Sequence, residues 1–313
     1  MPLAHFLKNY FKQQPKLGSR DRKLLAELSY CWYRFAKAVS VTLGFEKRMQ
    51  VCVFLGFTEI KHITTFFDES WIELYTTGFQ EKVVFLKGLN ISIDLSLLAS
   101  FSLNFSNGID KQQWLQAMTS QNKLFLRIRG HQEKIIFALK QNSIEYEQID
   151  DNCIALKNGI TLDNFLSPKD YVIQDASSQL TGSFFNPKKD EQWWDCCSGA
   201  GGKSLLLMDK NVSIKLTVSD VRKSILSNLS ERFAIYGFKY PNMIEVDVSD
   251  ELMLVKVLKE KQFDHIICDV PCSGSGTWFR TPEQLFFFDE INIEAFAERQ
   301  YRIFSNVFKY LKK

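Results

Sequence analysis

Long apolar runs and a secretory leader are both missing from this sequence, and each absence excludes a class of protein. No apolar stretch approaches the roughly 20 residues that a membrane-spanning helix needs. The first 16 residues also lack the apolar core of a secretory signal. We therefore predict a cytoplasmic protein without a membrane partner.

Clustered metal ligands are missing as well. The sequence has no pair of Cys-x-x-Cys units, and its four histidines are scattered. Zinc sites need such clusters, so we predict that the chain binds no metal. The seven cysteines are an odd number and two of them, Cys196 and Cys197, are adjacent, which favours reduced thiols over a disulfide framework.

Strong charge is absent overall but present locally. The net charge is only +3, yet residues 1–50 carry ten Lys or Arg against three acids. Such an excess suits contact with a polyanion such as RNA, although a solvated basic helix face is the alternative.

Three regions differ in their patterns, as the length of 313 residues allows. Residues 1–118 are predicted to be helical, because apolar side chains recur there at spacings of three and four: Leu24, Leu25, Leu28, Trp32 and Phe35. Residues 119–170 predict a small α/β module with strands at 124–129 and 153–156. In 171–313, strands predicted at 193–197, 216–219, 243–246 and 265–268 alternate with helices, as in a parallel sheet.

The loop after the first of these strands is rich in glycine. A P-loop would need glycine at position 197, which is Cys197, and the dinucleotide fingerprint would need glycine where Ser204 stands. A third interpretation remains, in which the turn and the following helix start receive a ligand's carboxylate. Asp220 and Asp247 end the next two strands, where they could meet a ribose and an adenine amino group. Either acid alone could be a helix cap, but the series favours a binding crevice.

This loop resembles the first motif of the RsmB/NOP/Sun family of RNA 5-methylcytosine methyltransferases, which reads roughly DxCAAPGGKT. Asp195, Cys197 and 201–203 match the motif, whereas Ser204 and 198–200 depart from it. Ala200 replaces the loop proline, which predicts a looser turn. The resemblance implies S-adenosylmethionine as cofactor, with contacts from Cys197, Ser198, Gly199, Ala200, Gly201, Gly202, Lys203, Asp220, Asp247 and Asp269.

Other segments extend the resemblance along most of the chain. Residues 174–179 (QDASSQ) look like the family's QDxASQ segment, and 124–127 (LFLR) look like its small RNA-facing module. Residues 17–22 are similar to the start of the NusB-like domain of the bacterial 16S rRNA branch. The implied fold is a Rossmann-like α/β S-adenosylmethionine-dependent methyltransferase domain with an incomplete sheet, preceded by the module and an all-α NusB-like domain. The RNA contacts that we expect are Arg20, Arg22, Lys23, Arg127, Arg129 and Arg280.

Residues 269–276 (DVPCSGSG) resemble the family's D-A-P-C-S-G-x-G motif, with Arg280 and Pro282 following as in the family. C5 of cytosine accepts a methyl group only after a thiolate adds to C6, and an acid near N3 stabilises the charge that develops on the ring. The resemblance makes Asp269 that acid, while Cys272 assists product release.

The family's nucleophilic cysteine lies in a later Thr-Cys-Ser segment that this sequence does not contain. We therefore expect the natural protein to continue past Lys313. The alternative is that Cys272 itself attacks, as the corresponding cysteine does in DNA cytosine methyltransferases.

The resulting prediction is a monomeric enzyme that methylates cytidine C5 in RNA through a cysteine adduct, with 16S rRNA preferred to tRNA as substrate. A non-catalytic RNA-binding or ribosome-assembly protein with the same fold is the first alternative. A small-molecule methyltransferase is the second.

Overall fold

The computed structural model of the chain describes residues 2–56, 63–99, 105, 107–120 and 123–313. They divide into two compact units, of which the first comprises Met1–Asn122 with Ser273–Ile293 and the second comprises Lys123–Cys272 with Glu294–Lys313. This division differs from the predicted boundaries, because 273–293 pack with the amino-terminal helices rather than with the carboxyl-terminal region.

Among the described residues, six α-helices come first along the chain, and strands and helices follow from residue 123 onward. In chain order the helices are α1 Leu3–Gln13, α2 Ser19–Phe35, α3 Phe45–Gly56, α4 Glu69–Glu73, α5 Phe79–Gly88, α6 Lys111–Thr119, α7 Gln132–Gln141, α8 Ala176–Leu180, α9 Gly202–Lys210, α10 Lys223–Ile235, α11 Glu251–Leu258, α12 Pro282–Phe286 and α13 Asn292–Phe308. The strands are β1 Lys123–Ile128, β2 Tyr146–Asp150, β3 Cys153–Lys157, β4 Tyr171–Ile173, β5 Gln192–Asp195, β6 Lys215–Asp220, β7 Asn242–Glu245 and β8 His265–Ile267.

The first unit is helical, and its core forms around α2 and α3. Phe35 is buried and Leu24, Leu28 and Trp32 pack against the same core, as their spacing predicts, whereas Leu25 is exposed. Residues 51–55 of α3 are buried together, and the ring of Phe54 lies 4.8 Å from that of Trp71.

The second unit begins with a four-stranded antiparallel sheet in the order β2-β3-β1-β4. The predicted strands β1 and β3 pair with each other, and Ile135 and Leu139 of α7 are buried against this sheet. The sequence patterns do not predict β2 and β4, because β2 is largely exposed and β4 is only three residues long and lies beyond the predicted boundary at 170.

A second, parallel sheet with the order β7-β6-β5-β8 follows in the same unit. Its four strands are the four that the sequence predicts. Trp194 of β5 is fully buried among side chains of α11 and α13, including Leu254, Ile303 and Val307. On the other face Trp193 packs with Leu205 of α9 and Leu229 of α10, so helices cover both faces of the sheet. Because the four strands are parallel, their carboxyl ends all lie at the same edge of the sheet.

Candidate cofactor and catalytic site

A tight turn connects β5 to α9 at this edge. Gly199 and Gly201 have φ angles of +52° and +80°, and Gly201 is the N-cap residue that immediately precedes α9. A Cβ atom at Gly201 would lie 2.9 Å from Leu229 Cγ, so glycine is required there both by the backbone conformation and by the packing of α10. At Gly199 an added Cβ would meet nothing within 4 Å, because the turn faces open space on that side.

Asp195 lies beneath the turn as the last residue of β5. Its side chain is 1% exposed, and Oδ2 accepts a 2.6 Å hydrogen bond from the Ser204 hydroxyl. Burial raises the pKa of Asp195 to about 7; the hydrogen bond from Ser204 opposes the shift and the charge of Asp269 adds to it. The carboxyl group therefore titrates near neutral pH.

Asp220 ends β6 beside the turn and is already surrounded by donors. Its Oδ2 accepts the Gly199 N–H at 3.1 Å, and its two oxygens accept Nε and Nη2 of Arg222 at 3.0 and 3.2 Å. Burial would raise the pKa of Asp220, but the bonds from Arg222 and Gly199 outweigh it and hold the pKa below its usual value. A ribose hydroxyl that approaches this carboxylate must share it with Arg222.

Asp247 follows β7 and closes the turn that leads into α11. Its Oδ1 accepts the Ser249 N–H at 2.9 Å and the Ser249 hydroxyl at 2.6 Å, while Oδ2 lies 4.0 Å from Arg299. Burial acts to raise the pKa of Asp247, but the two bonds from Ser249 and the charge of Arg299 outweigh it. The pKa of Asp247 therefore lies below its usual value. One oxygen thus fixes the loop and the other faces α13.

Asp269 and Cys272 follow β8 at the same edge. Asp269 Oδ2 lies 2.5 Å from Lys203 Nζ, which joins the acid to the first turn of α9. Cys272 is exposed, and the carbonyl of the preceding Pro271 accepts a 3.0 Å hydrogen bond from Gln300 Nε2. The structure therefore brings Asp220 and Asp269 to the glycine turn from both sides and anchors the segment that carries Cys272 to α13.

The predicted RNA contacts of the second unit, Arg127 and Arg129, have inward-facing side chains. Arg127 bonds to Asp209 of α9 and donates from Nε to Gln174 Oε1 at 2.9 Å. Arg129 donates from Nε to Asp209 Oδ1 at 2.8 Å, and its guanidinium lies over the Tyr236 ring at 4.6 Å. Their placement does not support direct contact with RNA, because both side chains are almost wholly buried in bonds within the unit.

The predicted RNA contacts of the first unit are more accessible. Arg20 and Lys23 on α2 are exposed, whereas Arg22 is half-buried and donates from Nε to the Leu17 carbonyl at 2.8 Å. Arg280 is half-buried, with its guanidinium 5.3 Å from the Phe279 ring.

Three polar residues at the site were missed by the sequence analysis. Arg222 was detectable, since an arginine two residues after a strand-end acid can fold back onto it. Arg232, which donates to the Ala200 carbonyl at 2.6 Å, is 32 residues away along the chain and carries no local signal. Gln174 was noted only as part of the QD segment, although its Nε2 donates to the Gly202 carbonyl at 3.3 Å.

Neither a cluster of metal-ligating side chains nor a membrane-spanning helix occurs among the residues that the structure describes. No group of three or more His, Cys, Asp or Glu side chains there could hold a metal ion. Within the same residues, no helix combines the length and apolarity that crossing a bilayer requires.

The parallel sheet, its glycine turn and its strand-end acids define an α/β methyltransferase domain of the S-adenosylmethionine-dependent class, and S-adenosylmethionine is the cofactor of that class. Residues 183–313 match the model of the 16S rRNA methyltransferase RsmB/F family.

Individual proteins named as ribosomal RNA small subunit methyltransferases are also similar to this chain. The chain is 29% identical over 190 residues to ribosomal RNA small subunit methyltransferase B of Shewanella oneidensis, covering 59% of this chain and 43% of the relative. It is 27% identical over 140 residues to the Vibrio vulnificus protein of the same name, covering 45% of this chain and 32% of the relative. The chain thus spans less than half the length of these relatives.

Solved structures show the same fold. The crystal structure of NSun6 from Pyrococcus horikoshii with SFG has a TM-score of 0.54 at 14% identity, covering 64% of this chain and 76% of that one. A methyltransferase homolog protein from Pyrococcus horikoshii has a TM-score of 0.52 at 18% identity, covering 64% of each chain.

Proposed function

We propose that this chain carries the cofactor-binding part of an enzyme that methylates C5 of a cytidine in RNA, with 16S rRNA as the substrate. The observation that carries the proposal is the arrangement at one sheet edge: a glycine turn, Asp220 on one side and Asp269 on the other, with the turn bonded to the first acid and Lys203 bonded to the second. The names of the family and of the relatives support rRNA as the methyl acceptor.

The chemistry of the donor groups fits S-adenosylmethionine. The start of α9 offers backbone N–H groups to the carboxylate of the amino-acid part, and the open space above Gly199 leaves room for a ligand. Asp220 would accept the ribose hydroxyls, and Asp247 would meet the adenine amino group. When bound, S-adenosylmethionine supplies an electrophilic methyl group. NSun6, which shares the fold, was solved with SFG, an analogue of this cofactor.

Asp269 and Cys272 are the proposed catalytic residues. Asp269 is 54% exposed in its side chain, so a cytosine ring can reach it, and the ammonium of Lys203 keeps its carboxyl beside the cofactor turn. In the resembling family, the thiolate of the Thr-Cys-Ser segment adds to C6 and makes C5 nucleophilic. Asp269 would be the acid at N3 that stabilises the charge on the ring. After methylation the C5 proton leaves to a base and the C6–S bond breaks. Cys272 would assist this release.

The first unit is the proposed RNA-binding region, of NusB-like type. Exposed Arg20 and Lys23 on α2 lie in the basic segment 1–50 and would contact phosphates without reading sequence. We further propose a cytoplasmic monomer without bound metal.

Two measurements test the function. With the chain extended through the family's Thr-Cys-Ser segment, incubation with tritium-methyl S-adenosylmethionine and 16S rRNA should label C5 of cytidine, and RNA that contains 5-fluorocytosine should leave a covalent protein–RNA band on a denaturing gel. Labelling of another atom would contradict the C5 assignment. Binding of both cofactor and RNA without label or band would favour the non-catalytic assembly protein instead. Methylation of a small molecule with no salt-sensitive RNA binding would favour the second alternative.

A further inference from the structure

A buried arginine links the antiparallel sheet to the helix that starts at the cofactor turn. Arg127 comes from β1, and its guanidinium reaches Asp209 in the last turn of α9. Its side chain is only 5% exposed. A guanidinium is retained in such an environment when carboxylate or amide acceptors hold it in a fixed orientation.

Gln174 continues this link to the other end of α9. Its Oε1 accepts from Arg127 Nε at 2.9 Å, and its Nε2 donates to the carbonyl of Gly202, the first residue of the helix, at 3.3 Å. Arg127 is thus joined to the end of α9 directly and to its start through one amide group. Gln174 is itself held, because its backbone carbonyl accepts from Gln179 Nε2 at 2.7 Å.

The turn before α9 needs such support in this chain. Ala200 stands where the resembling family has proline, so φ is not fixed by a ring at this position, and glycines precede and follow it. Side chains from elsewhere in the unit supply restraints instead: Arg232 holds the Ala200 carbonyl, and Gln174 holds Gly202.

We propose that Arg127 and Gln174 are positioning residues for the cofactor turn. They hold α9 at both ends, so that residues 199–202 keep the conformation that receives the amino-acid end of S-adenosylmethionine. A preorganised turn binds more tightly because less conformational entropy is lost on binding. This inference rests on the proposed function, since it assumes that the turn binds this cofactor.

The test is calorimetric titration of the whole chain with two probes, S-adenosylhomocysteine and 5′-methylthioadenosine, which lacks the amino-acid part. The variant Gln174→Glu keeps the acceptor for Arg127 but removes the donor to Gly202. Arg127→Lys keeps the charge but loses the forked geometry. Lys134→Ala removes the ion pair that Lys134 of α7 forms with Asp170, just before β4, and serves as the control.

Gln174→Glu and Arg127→Lys should weaken the binding of S-adenosylhomocysteine about 10-fold and the binding of 5′-methylthioadenosine less than about 2-fold. This difference is expected when only the preorganisation of the turn is lost. Lys134→Ala should change neither. Equal weakening of both probes, or no weakening, would overturn the positioning role.

The outcomes separate the two hypotheses. If the unmodified chain binds neither probe, the proposed function fails. If it binds both probes and the variants behave like the control, only the positioning role fails. Should Arg127→Lys not fold, Gln174→Glu decides alone, and its thermal melting curve shows whether the fold is intact.

Discussion

The strand ends of the parallel sheet carry a buried and an exposed set of side chains, which differ in their surroundings. Asp195 and Asp220 are buried and accept hydrogen bonds from Ser204, Gly199 and Arg222. Asp269 is half exposed and pairs with Lys203, and Cys272 is exposed. The groups that shape the cofactor turn are therefore oriented by the fold before any ligand arrives. The groups proposed to act on cytosine are accessible to a substrate.

The largest effect is expected from Asp269→Ala, which removes the proposed acid from the exposed set. Methyl transfer should fall at least about 100-fold, the usual cost of losing a positioned acid or base. Tritium-methyl incorporation into rRNA by the chain extended through the family's Thr-Cys-Ser segment measures this loss. Glu251→Ala, which removes an exposed carboxylate on α11, is the matched control and should keep full activity. Unchanged turnover of Asp269→Ala would remove Asp269 from the mechanism.

Asp195 of the buried set is expected to make the free energy of unfolding depend on pH. The folded-state pKa of Asp195 is raised to about 7 from an ordinary value of 3.8. The folded state therefore holds an extra proton between these values, and the stabilisation is lost as pH rises through 7. Between pH 5 and pH 8 the ionisation of Asp195 should lower the free energy of unfolding of the unmodified chain by about 2 kcal/mol. Asp195→Asn should not show this decrease.

Urea unfolding at both pH values measures that difference. Asp190→Asn, which removes an exposed carboxylate of the same unit, should follow the unmodified chain. Parallel pH profiles for Asp195→Asn and the unmodified chain would show that Asp195 is already ionised at pH 5.

A smaller effect, on ligand binding, is expected from the removal of Arg222, which is bonded to Asp220 of the buried set. Arg222→Ala frees Asp220 from two side-chain hydrogen bonds, so the ribose hydroxyls no longer compete with the guanidinium. S-adenosylhomocysteine should bind roughly 3-fold to 10-fold more tightly, since one such bond contributes about 1 kcal/mol. Titration calorimetry checks this, with Lys223→Ala as the control on α10. Weaker binding would mean that Arg222 itself contacts the ligand.

The smallest effect on stability is expected from a partly exposed ion pair of the first unit. Lys23 is 68% exposed and lies 3.9 Å from Glu27. Lys23→Ala should change the unfolding free energy by less than about 0.5 kcal/mol. It should nevertheless weaken RNA binding and lower the salt dependence by about one ion, whereas Glu27→Ala should not weaken binding. An unchanged salt slope would exclude Lys23 from the RNA contact.

Short-range patterns predicted much of the second unit. The parallel strands were found because each is a short apolar run that ends at an acid or a glycine turn. The exposed strand β2 was missed because its burial pattern does not alternate, and β4 because three residues carry no periodicity. The segment 273–293 was assigned by its neighbours in sequence, yet Trp278 and Leu285 are buried with Leu98 and Leu115 of the first unit. Which core an apolar segment joins depends on long-range packing.

By itself, the sequence determined the glycine turn, the strand-end acids and the D-V-P-C-S-G segment, because a strand followed by such residues brings them to one edge of a parallel sheet. Only the tertiary structure decided what those groups bond to. Arg127 looked like an RNA contact but is buried against Asp209 and Gln174, and Asp220 looked like a free acceptor but is bound by Arg222. The reason is that a charged side chain is stabilised by whichever partner the fold brings within reach, and the spacing of residues along the chain does not encode that partner.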